Sequence, residues 1–196
     1  MQFLEERQQV SRDALEVTVR SAHFRAVRDR CLVLLLVLTG VRAGEVCGMG
    51  LADIDFAKRS IQITAKGNRS HRHKQREILL PDALWSALGD YLQVRTAPGQ
   101  ERLWITWHRT PVTGPVLHKI ITRRVREAGI EKVISPHRLR ATCTSLYVKK
   151  GVDPFFLKTL LGHRSIRTTM DHYTRLNEEE LRAVWKRTNP LAGLDE

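Results

Sequence analysis

Apolar residues along this chain keep helical spacing over most of its length and strand spacing in one place. Leu15, Val19 and Ala22 lie three or four apart behind Ser11, a good N-cap residue, which predicts a helix from Ser11 to about Ala22. A second helix is predicted from Phe24 to Leu38. Its latter half is apolar nearly all round, which marks it as central, and it ends at Thr39-Gly40. GVRAGEVCGM then reads as a glycine-marked turn into a short helix. Asp53 to Phe56 and SIQITA follow, with Ile61 and Ile63 alternating with polar residues, and REILLP at 76–81 supplies the return strand. Between these strands KGNRSHRHKQ, residues 66–75, is a long polar hairpin loop.

Helical spacing resumes from Pro81 to Val94, and APGQ at 97–100 marks a loop leading into RLWIT. Another helix is predicted from Val116 to Ala128, stopped by Gly129. Ser135 and Pro136 open a helix from His137 to about Lys150. Two short helices come next, Pro154 to Leu161 and Ser165 to Tyr173, and Asn177 caps a last one with Leu181, Val184 and Trp185 on one stripe. The expected fold is mainly α with a small antiparallel β-sheet, in a single domain spanning 1–196.

Charge narrows the function. The 196 residues carry 33 Lys and Arg against 21 Asp and Glu, a net charge of +12 spread through the chain, so the expected partner is a polyanion. Cys31, Cys47 and Cys143 are far apart in apolar surroundings, which suits buried thiols in a reducing compartment. The apolar run CLVLLLVL is far shorter than the roughly 20 residues a membrane span needs. The first residues, MQFLEERQQV, lack the basic-then-apolar order of a signal peptide, so a cytoplasmic protein without membrane contact is expected.

Three places could carry chemistry. HRLR puts His137 and Arg140 on one face of a helix N-terminus, an end that attracts anions. TGVRAGEV puts Glu45 three residues after Arg42, where a carboxylate can hold a guanidinium in one pose. In LGHRSIRTTMDHYTR, Gly162 stops a helix, His163 sits in the turn and Tyr173 ends the next helix. A phenol with a pKa near 10 is a poor nucleophile at neutral pH, and surrounding cations would lower that pKa and neutralise a phosphodiester under attack. Tyr91 and Tyr147 lie inside helices, which favours packing with a satisfied hydroxyl. His172 adjoins Tyr173 but is expected to point elsewhere, because neighbours on a helix do not share a face. Arg123, Arg124 and Arg126 form a run that is either solvated or follows a DNA groove.

With TGVRAGEV, the ITAKGN hairpin, HRLRAT and LGHRSIRTTMDHYTR in this order, the chain resembles the tyrosine recombinases or phage-type integrases over about Ser11 to Arg187. The resemblance implies a DNA breaking-rejoining fold in which Tyr173 attacks the scissile phosphate of double-stranded DNA, giving a 3′-phosphotyrosyl link and a free 5′-hydroxyl. It implies that Arg42, Arg140 and His163 hold the phosphate oxygens, that His137 assists proton transfer, that Lys66 protonates the leaving oxygen with Lys74 as its substitute, and that Glu45 orients the basic groups. Neither ATP nor a metal is implied, because the phosphotyrosyl bond keeps the energy of the diester. Further DNA contacts are expected from Arg69, Arg72, Lys74, Arg123, Arg124, Arg138 and Arg164.

The sequence departs from the family pattern at Ala141, where a histidine is common, and at Gly44 before Glu45. The separate DNA-clamping domain that typically precedes the first motif is expected to be absent. A monomer assembling as a homotetramer on paired sites, with possible accessory DNA-bending proteins, fits the resemblance, as do the members that serve mobile genetic elements. The final helix packs either on its own chain or on a neighbour. Two other readings remain at this stage: a type IB topoisomerase, and a DNA-binding regulator that has lost catalysis.

Overall fold

A computed structural model describes residues 2–64, 75–163 and 165–188, with side chains in the first helix at 17 and from 20 onward. Its first element is one helix, α1, Gln2–Thr39, where two were expected. The sequence from 2 to 39 contains neither glycine nor proline, so nothing interrupts the backbone at His23, and Ser11 lies inside the helix instead of capping it. Ser21 does not stop it either, because Arg25 donates from Nε to the Ser21 carbonyl and from Nη2 to its hydroxyl, both at 3.0 Å.

The other elements follow the sequence pattern closely. They are α2 (Ala43–Gly48), a single 3-10 turn at Leu51–Asp53, β1 (Ile54–Asp55), β2 (Ser60–Thr64), β3 (Gln75–Leu79), α3 (Asp82–Val94), α4 (Gly114–Glu127), α5 (Pro136–Lys149), α6 (Pro154–Leu161), α7 (Ile166–Tyr173) and α8 (Glu178–Thr188). The strands form an antiparallel sheet in the order β1-β2-β3, with Ile61 opposite Ile78 and Ile63 opposite Arg76. Among the described residues no helix is long and apolar enough to cross a membrane.

The C-terminal half of α1 is the centre of the core. Leu32, Leu35 and Leu36 are fully buried against Leu84, Leu88 and Tyr91 of α3, Leu117 and Ile121 of α4, and the isoleucines of the hairpin. Tyr91 stacks on Trp104 with ring centroids 5.1 Å apart, donates its hydroxyl to the Leu103 carbonyl and accepts from the Ile105 amide. Tyr147 likewise donates to the Leu38 carbonyl at 3.1 Å, so both phenols are packing residues. The three cysteines are free thiols, Cys31 and Cys143 buried and Cys47 half-buried. Helix α8 lies against the end of α5 through Lys149 and Glu180, 2.6 Å apart, and leaves Leu181 and Trp185 exposed.

One polar cluster stands inside this frame. Asp29 is fully buried in α1. It accepts from Arg28 Nε and Nη2 at 2.8 and 2.7 Å, from Arg123 Nη2 at 2.6 Å and from Arg124 Nε at 2.9 Å. Arg28 also donates to the Ile105 carbonyl at 3.1 Å, so the cluster ties α1 to α4 and to the segment after Trp104. Arg123 and Arg124, expected to contact DNA, direct these donors inward to a carboxylate. Removing that carboxylate would strand the buried guanidinium of Arg28, so Asp29→Ala is expected to lower unfolding free energy by about 3–5 kcal/mol, read from urea midpoints.

Candidate active site at the end of α6

The arrangement is set by how α6 ends. Its last residue is followed by Gly162 in the left-handed conformation, φ +64°, and the turn closes with the Gly162 amide on the Thr159 carbonyl at 3.1 Å and the His163 amide on the Lys158 carbonyl at 3.0 Å. That leaves the carbonyls of Leu160, Leu161 and Gly162, at the negative end of the helix dipole, to find donors elsewhere. Each takes a different arginine. Arg76 Nε donates to Leu160 at 3.2 Å, Arg140 Nη2 to Leu161 at 2.7 Å and Arg42 Nη2 to Gly162 at 2.6 Å. Three guanidiniums from three separate parts of the chain are thereby gathered around one helix end.

Each arrives for a local reason. Arg42 directly precedes α2, and Glu45 in the first turn of that helix accepts from its backbone amide at 2.8 Å and from its Nη1 at 3.1 Å. Arg140 sits one turn into α5, whose start is capped by Ser135 accepting from the Arg138 amide. Arg140 is buried and also donates to the carbonyl of Gly40, where α1 ends. Gly40 has φ +60°, and a Cβ there would meet Leu161 Cδ2 at 2.6 Å, so a glycine is required for α1 and α6 to approach. Arg76 stands opposite Ile63 on β3 and is only 11% exposed. It grips Glu45 with both prongs, Nη1 to Oε1 at 2.7 Å and Nη2 to Oε2 at 2.8 Å.

The electrostatics follow from this packing. Burial alone would push the Glu45 carboxyl up, but the hydrogen bonds and charges of Arg76 and Arg42 outweigh it and hold the group below its ordinary value. Arg140 is pulled down to about 10 by burial and by the charge of Arg42, and stays cationic at neutral pH. His163 is buried beside the cluster, with Nδ1 2.9 Å from the hydroxyl of Thr169 on α7. Burial, then the charges of Arg140, Arg42, His172 and Arg76, push its imidazole down to about 4, so the ring is neutral at physiological pH.

Tyr173 departs from expectation. Its hydroxyl donates to the Val152 carbonyl, just ahead of α6, and its ring packs half-buried on the small apolar cluster of Val148, Leu157 and Leu161. Burial, reinforced by the carboxylate of Asp153, holds the phenol above its ordinary value, where the sequence predicted a lowering by cations. The reason is rotation along α7. Thr169 meets His163, while Tyr173, four residues on, is turned toward the start of α6 and the Val152 carbonyl. His172 is half-buried, and burial together with the charge of Arg175 holds its imidazole below the ordinary value.

Among the other expected site residues, His137 and Arg138 are exposed at the start of α5. Lys66, Arg69, Arg72, Lys74 and Arg164 lie outside the described residues. Two participants escaped the sequence reading. Arg76 is not among the expected site residues, yet its place two residues before Ile78 puts it on the inward face of β3, a signal carried by strand alternation. Thr169 had no signal of its own.

The chain is 32% identical over 171 residues to the tyrosine recombinase XerD of Corynebacterium glutamicum, covering 85% of this chain and 54% of that protein. The crystal structure of XerA recombinase superposes with a TM-score of 0.70 at 26% identity, covering 87% of this chain and 63% of the other. XerH site-specific recombinase bound to its difH substrate superposes at 0.65 with 28% identity, covering 81% and 46%. The chain thus spans about half the length of XerD. A sequence model of the phage integrase family matches residues 8–180, and the chain belongs to that family of tyrosine recombinases.

Proposed function

We propose that the protein cuts and rejoins double-stranded DNA at specific sites through a transient bond between Tyr173 and a 3′-phosphate. The observation that carries this reading is the gathering of Arg42 and Arg140 on the adjacent carbonyls of Gly162 and Leu161 beside His163, with Arg76 and Glu45 packed behind them. Membership of the family and the likeness to a recombinase solved with its DNA substrate support it.

In the reaction the Tyr173 oxygen forms a bond to phosphorus, the bond from phosphorus to the 5′-oxygen breaks, and its electron pair leaves with that oxygen. The phenol proton passes to His137, and Lys66 supplies a proton to the departing oxygen; an ammonium can give one up where a guanidinium cannot. Arg42, 41% exposed, and Arg140 stabilise the charge that builds on the non-bridging oxygens. A neutral His163 that accepts from Thr169 at Nδ1 carries its proton on Nε2, which makes it a donor to the phosphate without adding charge. Tyr173 has to leave the Val152 carbonyl to take part, and its half-exposed ring on an eight-residue helix gives it a route. Rejoining is the same sequence reversed, so neither ATP nor a metal ion enters. Four copies acting on two paired sites belong to this reading, with the exposed Leu181 and Trp185 of α8 offered to a neighbouring copy.

The test is a nicked duplex recovered from a randomised library by its binding to the full chain, incubated and resolved by denaturing electrophoresis. A covalent adduct is expected that disappears in Tyr173→Phe with DNA binding retained, and Arg42→Gln is expected to slow its formation about 10²–10³-fold. An adduct surviving Tyr173→Phe would refute the nucleophile. Efficient relaxation of supercoiled plasmid by isolated copies, without pairing of sites, would favour the topoisomerase reading.

The depressed His163 also sets a pH dependence. Its folded value of about 4 lies below the ordinary 6.5, so the unfolded chain takes up the proton first. Stability is expected to fall as pH drops from 6.5 toward 4, by at most roughly 3 kcal/mol from this residue. Urea midpoints across that range should lose most of this slope in His163→Gln.

A further inference from the structure

Arg76 has no part in the reaction as just described, yet it ties β3 to the site through a nearly buried side chain. It grips Glu45 through two bonds of 2.7 and 2.8 Å, donates to the Leu160 carbonyl, and lies so close under the turn that a Cβ on Gly162 would stand 2.9 Å from its Nη1. Glu45 is itself 6% exposed and is also bound by Arg42. With Arg76 in place, three guanidiniums and one carboxylate leave this cluster with a net charge of +2.

We propose that Arg76 is a positioning residue for strand cleavage: it neutralises Glu45, so that Arg42 and Arg140 present an uncompensated double positive charge to the phosphorus centre. This rests on the cleavage reading above. A phosphodiester is a monoanion, and attack by a phenolate makes the pentavalent transition state a dianion, so a cradle of +2 matches the transition state better than the ground state. Without Arg76, the Glu45 carboxylate, 3.1 Å from Arg42 Nη1, has Arg42 as its one close partner among the described residues and cancels that charge. The cradle then matches the bound substrate and not the transition state. The effect therefore falls on the chemical step and spares DNA binding, where Arg76 is too buried to meet a phosphate directly. Arginine suits the position because its fork engages both oxygens of Glu45 and leaves Nε for Leu160.

Single-turnover cleavage of the nicked duplex by the full chain tests this, at a temperature well below the lowest Tm of the set. Arg76→Gln is expected to slow adduct formation about 10²-fold while changing the DNA dissociation constant by less than about threefold. Arg76→Lys, which keeps the charge, is expected to stay within about tenfold of the parent. The double variant Glu45→Gln with Arg76→Gln restores the net charge and is expected to cleave at least about tenfold faster than Arg76→Gln alone. A double variant no faster than Arg76→Gln, an Arg76→Lys as slow as Arg76→Gln, or a parental rate in Arg76→Gln would each overturn the proposal.

Failure of the cleavage reading would show separately, as a parent chain that forms no adduct. Thermal shift by orthovanadate, which adopts a pentavalent geometry, against inorganic phosphate then reads the cradle directly. The vanadate preference is expected to disappear in Arg76→Gln and return in the double variant. Equal shifts in the parent and in Arg76→Gln would overturn the assignment.

Discussion

The unfilled carbonyls at the C-terminus of α6 are what the site is built on. A helix cannot satisfy its own last acceptors, and here the glycine turn at Gly162 takes care of two and leaves three. Three arginines that repel one another meet there because each has a carbonyl of its own and two of them share Glu45. The protein thus holds a dense positive charge in place with backbone dipoles and one carboxylate. Side chains held this way need little reorganisation when negative charge develops between them.

The position of that helix end is fixed from the opposite side of the molecule. Helix α1 runs through the core and stops at Gly40, whose carbonyl receives Arg140 and whose missing Cβ admits Leu161. Farther back along the same helix, Asp29 binds Arg28, Arg123 and Arg124 and pins α4 to it. The long apolar helix is therefore both the core and the ruler that sets where α5 and α6 meet. By contrast α7 and α8 attach through few buried groups, Thr169 being the buried residue of α7, and α7 is the element that carries Tyr173. The cations are thus tightly anchored, while the helix that carries Tyr173 is loosely attached.

Element order was largely readable along the chain because caps, glycine stops and apolar spacing are local signals, and they agreed at Ser135, Gly162 and Asn177. The reading failed at Ser11, where a good cap residue sits in the middle of a helix that nothing else interrupts. It also passed over Asp29, since a single carboxylate among apolar residues has no pattern of its own, and its partners lie about ninety residues away in α4. Arg76 is legible in the sequence through its alternation with Ile78, which turns it inward, but composition does not separate it from the equally basic residues that precede it.

The sequence by itself determined the class of chemistry: two separated arginines, a histidine in a glycine turn, a following tyrosine and a strongly basic balance are residue choices, and residue choices decide which ligand can be held. Tertiary structure decided which of those groups converge and which way they face. Only the packing of α7 on α5 and α6 puts Thr169 on His163 and, four residues on, Tyr173 on the Val152 carbonyl. Direction of that kind comes from contacts between distant segments, which no local pattern encodes.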